Sequence, residues 1–175
     1  MTNSITFVHA PEIRYDQNYG TLFSPMWAYT LGAHLPESWD AEVVDLVCEP
    51  QATVRDSKIF AFSGINQDCE SVCTARDRIK EKYPDATYII GGPMTWSFEQ
   101  EGKLDLLNGF DHIFVLDGEE TLPKFLTQFE VTGSTGIEKI IRAERLSMEK
   151  SRPIRFDLFR AKAKNYYGAV VEVSR

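Results

Sequence analysis

Three short stretches hold the residues best suited to chemistry: Ser63-Gly64-Ile65-Asn66, Gly91-Gly92-Pro93 and Asp117-Gly118-Glu119-Glu120-Thr121. Each follows an apolar run and is built largely from small or hydrogen-bonding residues. Glycine permits positive φ and close backbone approach, so a flat or bulky ligand could lie against these amides. One such loop is ordinary turn punctuation. Three in succession on one edge point to ligand recognition. Other reactive side chains are sparse. Cys69 and Cys73 share one helix face at a spacing of four, too few for a zinc or iron–sulfur site, and read as small buried residues. Glu119 and Glu120 look like paired carboxylates, but at a helix start they complement its dipole. His9 closes a strand and could face the pocket, whereas His112 opens a strand at the opposite end; both read as structural histidines. Phe23, Trp27 and Tyr29 read as packing of a first crossover helix.

The elements that must position these loops alternate. Strands are expected at 5–10, 41–47, 58–64, 87–92 and 112–116, with helices at 22–35, 65–82, 98–108 and 119–129. Such alternation implies parallel strands with right-handed crossovers, and the nearly all-apolar third and fourth strands imply a sheet covered on both faces. The expected fold is a five-stranded, flavodoxin-like (Rossmann-type) doubly wound sheet. Sheets of this kind bind ligands outside the carboxyl ends of their strands, where the three loops lie. "EVTGSTG" (130–136) marks a boundary, giving an α/β domain over 1–130 and a linker with one further strand over 131–175, where "YYGAVVEVS" (166–174) is strand-like.

Composition limits what such a domain does. With 175 residues, 43% of them hydrophobic, the chain can bury one ordinary core. It has no apolar run long enough to span a membrane and no signal-peptide pattern at its start, so it reads as cytoplasmic. Its three cysteines read as reduced thiols. Of the net charge of −7, residues 1–136 carry −12 and residues 137–175 carry +5. An acidic body disfavours nucleic acid as a partner, and the basic tail reads as a linker lying on acidic surface.

"FAFSGINQD", "YIIGGPMTW", "LDGEETLPKF" and "YYGAVVEVSR" together resemble the amino-terminal cobalamin-binding domain of cobalamin-dependent radical SAM enzymes. The resemblance runs from the first strand to Arg175 and is strongest over 59–125. It implies that Ser63, Gly64 and Ile65, then Gly91, Gly92 and Pro93, then Asp117, Gly118 and Glu119, flank the cavity for the cofactor's nucleotide tail. Ile65 stands where the family has leucine, and the last loop matches only the second half of the family's Gly-Glu-Gly-Glu-x-Thr. The absent β-carbons of the glycine pair would leave a slot for the planar dimethylbenzimidazole. The Asp-x-His-x-x-Gly of better-known cobalamin domains is missing: "EIRYDQNYGTLFSP" offers Asp16 and Asn18 at that spacing and no histidine. The resemblance therefore implies weak, histidine-independent cobalamin binding. "CESVC" matches the first spacing of the cluster motif Cys-x3-Cys-x2-Cys, but Arg76 takes the third position.

In the family, a strand ending in Ser-Arg precedes the cluster cysteines, so the chain is expected to stop just before a radical SAM domain of the same parent chain. That missing part would hold a [4Fe–4S] cluster and S-adenosylmethionine. The parent would be a methyltransferase or another radical-based modifying enzyme, and this chain alone would be non-catalytic. The alternative is a degenerate, cofactor-free flavodoxin-like interaction domain. A flavin version is disfavoured because the loop after the first strand lacks the serines and threonines a phosphate wants.

Overall fold

The computed structural model describes residues 3–12, 24–50 and 52–166. Its parallel sheet has strands β1 (Asn3–His9), β2 (Trp39–Asp45), β3 (Ile59–Ser63), β4 (Thr87–Gly91), β5 (His112–Val115) and β6 (Ile140–Arg142). The spatial order is β2-β1-β3-β4-β5-β6. The fold is thus a flavodoxin-like doubly wound α/β sheet, with the order reversing between β1 and β3. Helices α1 (Met26–Gly32), α2 (Cys69–Lys82), α3 (Pro93–Gln100), α4 (Thr121–Thr132) and α5 (Phe156–Lys162) complete it.

Side-chain alternation along the strands builds two cores. Phe60, Phe62, Tyr88, Ile90, Ile113 and Val115 face one layer with Val72 and Ile79 of α2 and Met94 and Phe98 of α3. Ile5, Phe7, Ala61, Ile89 and Phe114 face the other, with Ala28 and Tyr29 of α1 and Leu122, Phe125 and Leu126 of α4. Because β3 and β4 feed both layers, they carry no polar alternation.

Two expectations are corrected. The sheet has six strands rather than five, because Ile113, Phe114 and Val115 pair with Ile140, Ile141 and Arg142. A three-residue strand is too short to show a period, and its segment had read as linker. Residues beyond 130 are built into the same fold: α5 lies against α1, where the Arg155 amide donates to the Tyr29 carbonyl (3.1 Å), and Phe159 meets the Tyr29 ring edge-on. The third helix begins at Pro93, five residues before its expected start. Proline suits a first helical position, where its missing N–H is no loss. That helix ends at Gln100, and only a 3₁₀ turn, Leu104–Leu107, follows before β5.

The tail's basic residues do meet acidic partners: Arg142 pairs with Glu99, Lys150 with Glu120 and Lys162 with Glu49. The expected strand at 166–174 falls, apart from Tyr166, outside the described residues. So do residues 13–23, which include Asp16, Asn18 and Phe23.

Candidate functional site

Pairing of the central strands sets up the site. Ser63 stands beside Gly91, Ala61 beside Ile89, and His9 beside Ser63 on the other flank. By alternation Ala61, Ser63 and Gly91 lie on the sheet face that α1 and α4 cover. Three small residues toward the carboxyl ends of β3 and β4 leave a trough there. Over it a cavity of about 500 Å³ opens, lined by α1 (Trp27, Leu31), β5 (Phe114), the loop 116–119 and two residues of the tail, Arg145 and Leu146. Thr30 from α1, Trp96 from α3 and Leu122 from α4 also reach it. Its walls are mainly hydrocarbon and aromatic.

Seven of the nine residues expected at the site line this cavity: Ser63, Gly91, Gly92, Pro93, Asp117, Gly118 and Glu119. Gly64 and Ile65 do not. The Gly64 carbonyl accepts from the Met94 amide (3.1 Å), tying the β3 loop to the start of α3. The Ile65 amide donates to Asp68 Oδ2 (2.9 Å), and the Ile65 side chain faces solvent. Both act in the loop's own architecture.

The glycine pair divides into two roles, which corrects the slot argument. Gly92 has φ +89°, ψ −173°, a conformation that side-chain-bearing residues rarely adopt. A β-carbon there would stand 2.2 Å from Ser63 Oγ. Its missing side chain serves the strand-to-helix turn and Ser63. At Gly91 a β-carbon would meet only Phe114, its Cβ at 3.4 Å and its carbonyl oxygen at 3.7 Å, an ordinary contact. Gly91 is therefore the position of the pair where bulk would be added to the cavity wall rather than to the turn.

The loop after β5 is held from the tail. Asp117 Oδ2 accepts from the Leu146 amide (2.6 Å), the Ala143 amide donates to the Val115 carbonyl (3.0 Å), and Leu116 adopts φ +71°. Glu119 is buried in the wall, while Glu120 turns outward to Lys150 (2.8 Å), whose hydrogen bond and charge hold its carboxyl below the usual range. The two carboxylates do not act as a pair.

Trp27 meets Phe7 edge-on at 5.7 Å and so packs the first helix as expected, yet it also walls the cavity. Its indole Nε1 is buried without a hydrogen-bond partner among the described residues, which in a native protein calls for a reason. Ala61, Trp96, Arg145 and Leu146 are wall residues that the sequence did not single out. Ala61 was the most accessible of them: one small residue between two phenylalanines in "FAFS".

No histidine lines the cavity. His9 sits beside it at the point of strand reversal, its charged form disfavoured chiefly by burial and favoured by Asp45 and Asp68. His112 is structural: its ring nitrogens lie 2.8 Å from the Glu138 carbonyl and 2.7 Å from Ser134 Oγ. Cys69 and Cys73 pack at the edge of the α2-side core, and burial raises the Cys69 thiol's pKa, with Cys73 adding to the rise. Among the described residues no group of three or more His, Cys, Asp or Glu is arranged to hold a metal, and no helix is long and apolar enough to cross a membrane.

No family model matches the chain, and no curated protein matches it. Among solved structures it is similar to the response regulator RcsB of Salmonella typhimurium. The identity is 17%, 95% of this chain and 79% of that one are covered, and the TM-score is 0.47.

Proposed function

We propose that this domain is a cytoplasmic cobalamin-binding module that receives the cofactor's dimethylbenzimidazole base in the cavity over β3, β4 and β5, without histidine ligation. The observation that carries the reading is the trough of Ala61, Ser63 and Gly91 beneath an apolar cavity of about 500 Å³, at the edge where doubly wound sheets take ligands. A flat aromatic base suits such walls. Trp27 Nε1, buried and unpartnered, is a donor that a ligand atom would satisfy. Phe114, Leu31 and Leu122 would flank the base, Ser63 would hydrogen-bond at its edge, and the outward loops at Gly92 and Gly118 would meet the corrin side.

Bound there, cobalamin supplies a transferable methyl group. This chain's residues bind and orient the cofactor and exclude water from its base. The reaction itself belongs to a radical SAM domain of the same parent chain, with its [4Fe–4S] cluster and S-adenosylmethionine, in a methyltransferase or related modifying enzyme. Neither nucleic acid nor membrane is a partner in this reading. The cofactor-free interaction domain is favoured by one observation, that Leu146 of the tail already forms part of the cavity wall.

Titration of the chain with hydroxocobalamin, followed by absorbance, separates the two. Weak saturable binding is expected for the wild type, retained in Gly91→Ala and lost in Gly91→Leu, whose side chain adds bulk at the cavity wall. Absence of binding, or equal binding by Gly91→Leu, would leave the cofactor-free reading.

A further inference from the structure

Among the described residues the cavity wall carries three ionisable side chains: Asp117, Glu119 and Arg145. Two are committed. Asp117 holds the Leu146 amide, and Glu119 is only 4% exposed. Arg145 is exposed, and among the described residues no carboxylate stands within ion-pairing distance of it, although its tail neighbours Arg142 and Lys150 both found partners. Asp117 anchors the residue next to it, so the backbone holds Arg145 at the cavity, with no hydrogen bond to its guanidinium among the described residues. Trp96, 45% exposed, lines the same mouth.

An apolar chamber with one uncommitted guanidinium at its entrance matches a ligand of mixed character: a planar aromatic base that enters, joined to an anionic group that stays outside. We infer that Arg145 is the anion-recognising residue of this cavity and takes the phosphodiester that joins the base-bearing ribose to the rest of cobalamin. The assignment rests on the cobalamin reading. Guanidinium suits the role because its planar fork gives two parallel donors to a phosphate. Asp117 and Glu119 offer a phosphate no cationic donor, so Arg145 also fixes where along the mouth it lies.

The test compares two probes on the full chain: hydroxocobalamin, and aquacobinamide, the same corrin without base, ribose and phosphate. Arg145→Ala is expected to weaken hydroxocobalamin binding by roughly tenfold, the size of one lost charge-assisted contact. It should leave aquacobinamide binding unchanged. Arg145→Lys should recover part of the loss, since it keeps the charge without the fork, and added salt should narrow the gap between wild type and Arg145→Ala. Circular dichroism verifies that the variants fold; among the described residues Arg145 has no hydrogen bond to lose. Equal losses for both probes, or no loss for hydroxocobalamin, would overturn the assignment and leave the cavity reading standing. Failure of the wild type to bind hydroxocobalamin would overturn both.

Discussion

Gly92→Ala should destabilise the protein although it adds one methyl group. The native φ of +89° with ψ near −173° lies in a region essentially reserved for glycine, and holding another residue there costs about 1–3 kcal/mol. The new β-carbon would also stand 2.2 Å from Ser63 Oγ, forcing that hydroxyl off its rotamer at a further ~0.5–1.5 kcal/mol. Together the loss is about 1.5–4.5 kcal/mol. For a chain of this length each kcal/mol moves the midpoint by about 2–4 °C, so the drop should be on the order of 10 °C. Urea and thermal denaturation would measure it. Ser63→Ala removes the hydroxyl and leaves Ser63 Cβ at 3.4 Å. In a double-mutant cycle it should therefore restore only the steric part, about 1 kcal/mol. Gly91→Ala, one residue earlier, is the control and should fall within about 0.5 kcal/mol of wild type, as ordinary unstrained substitutions do. A near-neutral Gly92→Ala, or a cycle with no coupling, would refute both the strain and the contact.

Stability should fall as pH rises from about 10 toward 12, because burial pushes the Tyr29 and Tyr88 phenols up to about 12, so the folded state keeps protons that the unfolded chain has released; phenolate absorbance would show ionisation arriving with unfolding. At the other end, burial lowers the His9 pKa, so the unfolded chain binds its proton first. That contribution should be lost as pH falls below about 6.5, and His9→Asn should flatten the slope. Asp117→Ala removes the acceptor for the Leu146 amide and should speed tryptic cleavage after Arg145, measured by mass spectrometry; an unchanged cleavage rate would show that the anchor does not hold the tail. Lys150→Ala breaks an exposed ion pair with Glu120 and should leave the denaturation midpoint where it was.

The first five strands were legible because each is an apolar run bounded by turn residues, and β3 and β4 were legible as central because both of their faces are apolar. β6 was not, since its pairing with β5 is decided by tertiary contact and its three residues carry no period. The start of α3 was missed for a related reason: Gly91-Gly92-Pro93 reads as a breaker, yet glycine ends the strand and proline opens the helix within one step. The three loops converged because parallel strands share one carboxyl edge, a consequence of topology that holds whatever the side chains are. Which glycine served which purpose was beyond the sequence. Gly91 and Gly92 are chemically identical, and only their φ angles and their distances to Phe114 and Ser63 distinguish them. The same holds for Asp117, whose exchange of a ligand-facing role for a bond to Leu146 depends on where the tail returns.

The cavity joins two layers of unequal robustness. Its floor is Ala61, Ile89 and Phe114, all buried, whose positions are fixed by strand register and by the α1 and α4 side chains packed on them. Its rim is the segment 143–146, held by the Ala143 and Leu146 amides and by little buried hydrocarbon. Segments with few buried apolar contacts open at a small fraction of the global unfolding free energy. Substitutions in the floor therefore alter folding and binding together, whereas those in the rim alter binding alone. Arg145 is the residue where that separation is cleanest: it is exposed, has no ion-pair partner among the described residues and is attached to a backbone held by the Ala143 and Leu146 amides. A change in affinity on its removal would report the contact it makes with a ligand, because among the described residues no hydrogen bond or ion pair is lost with it.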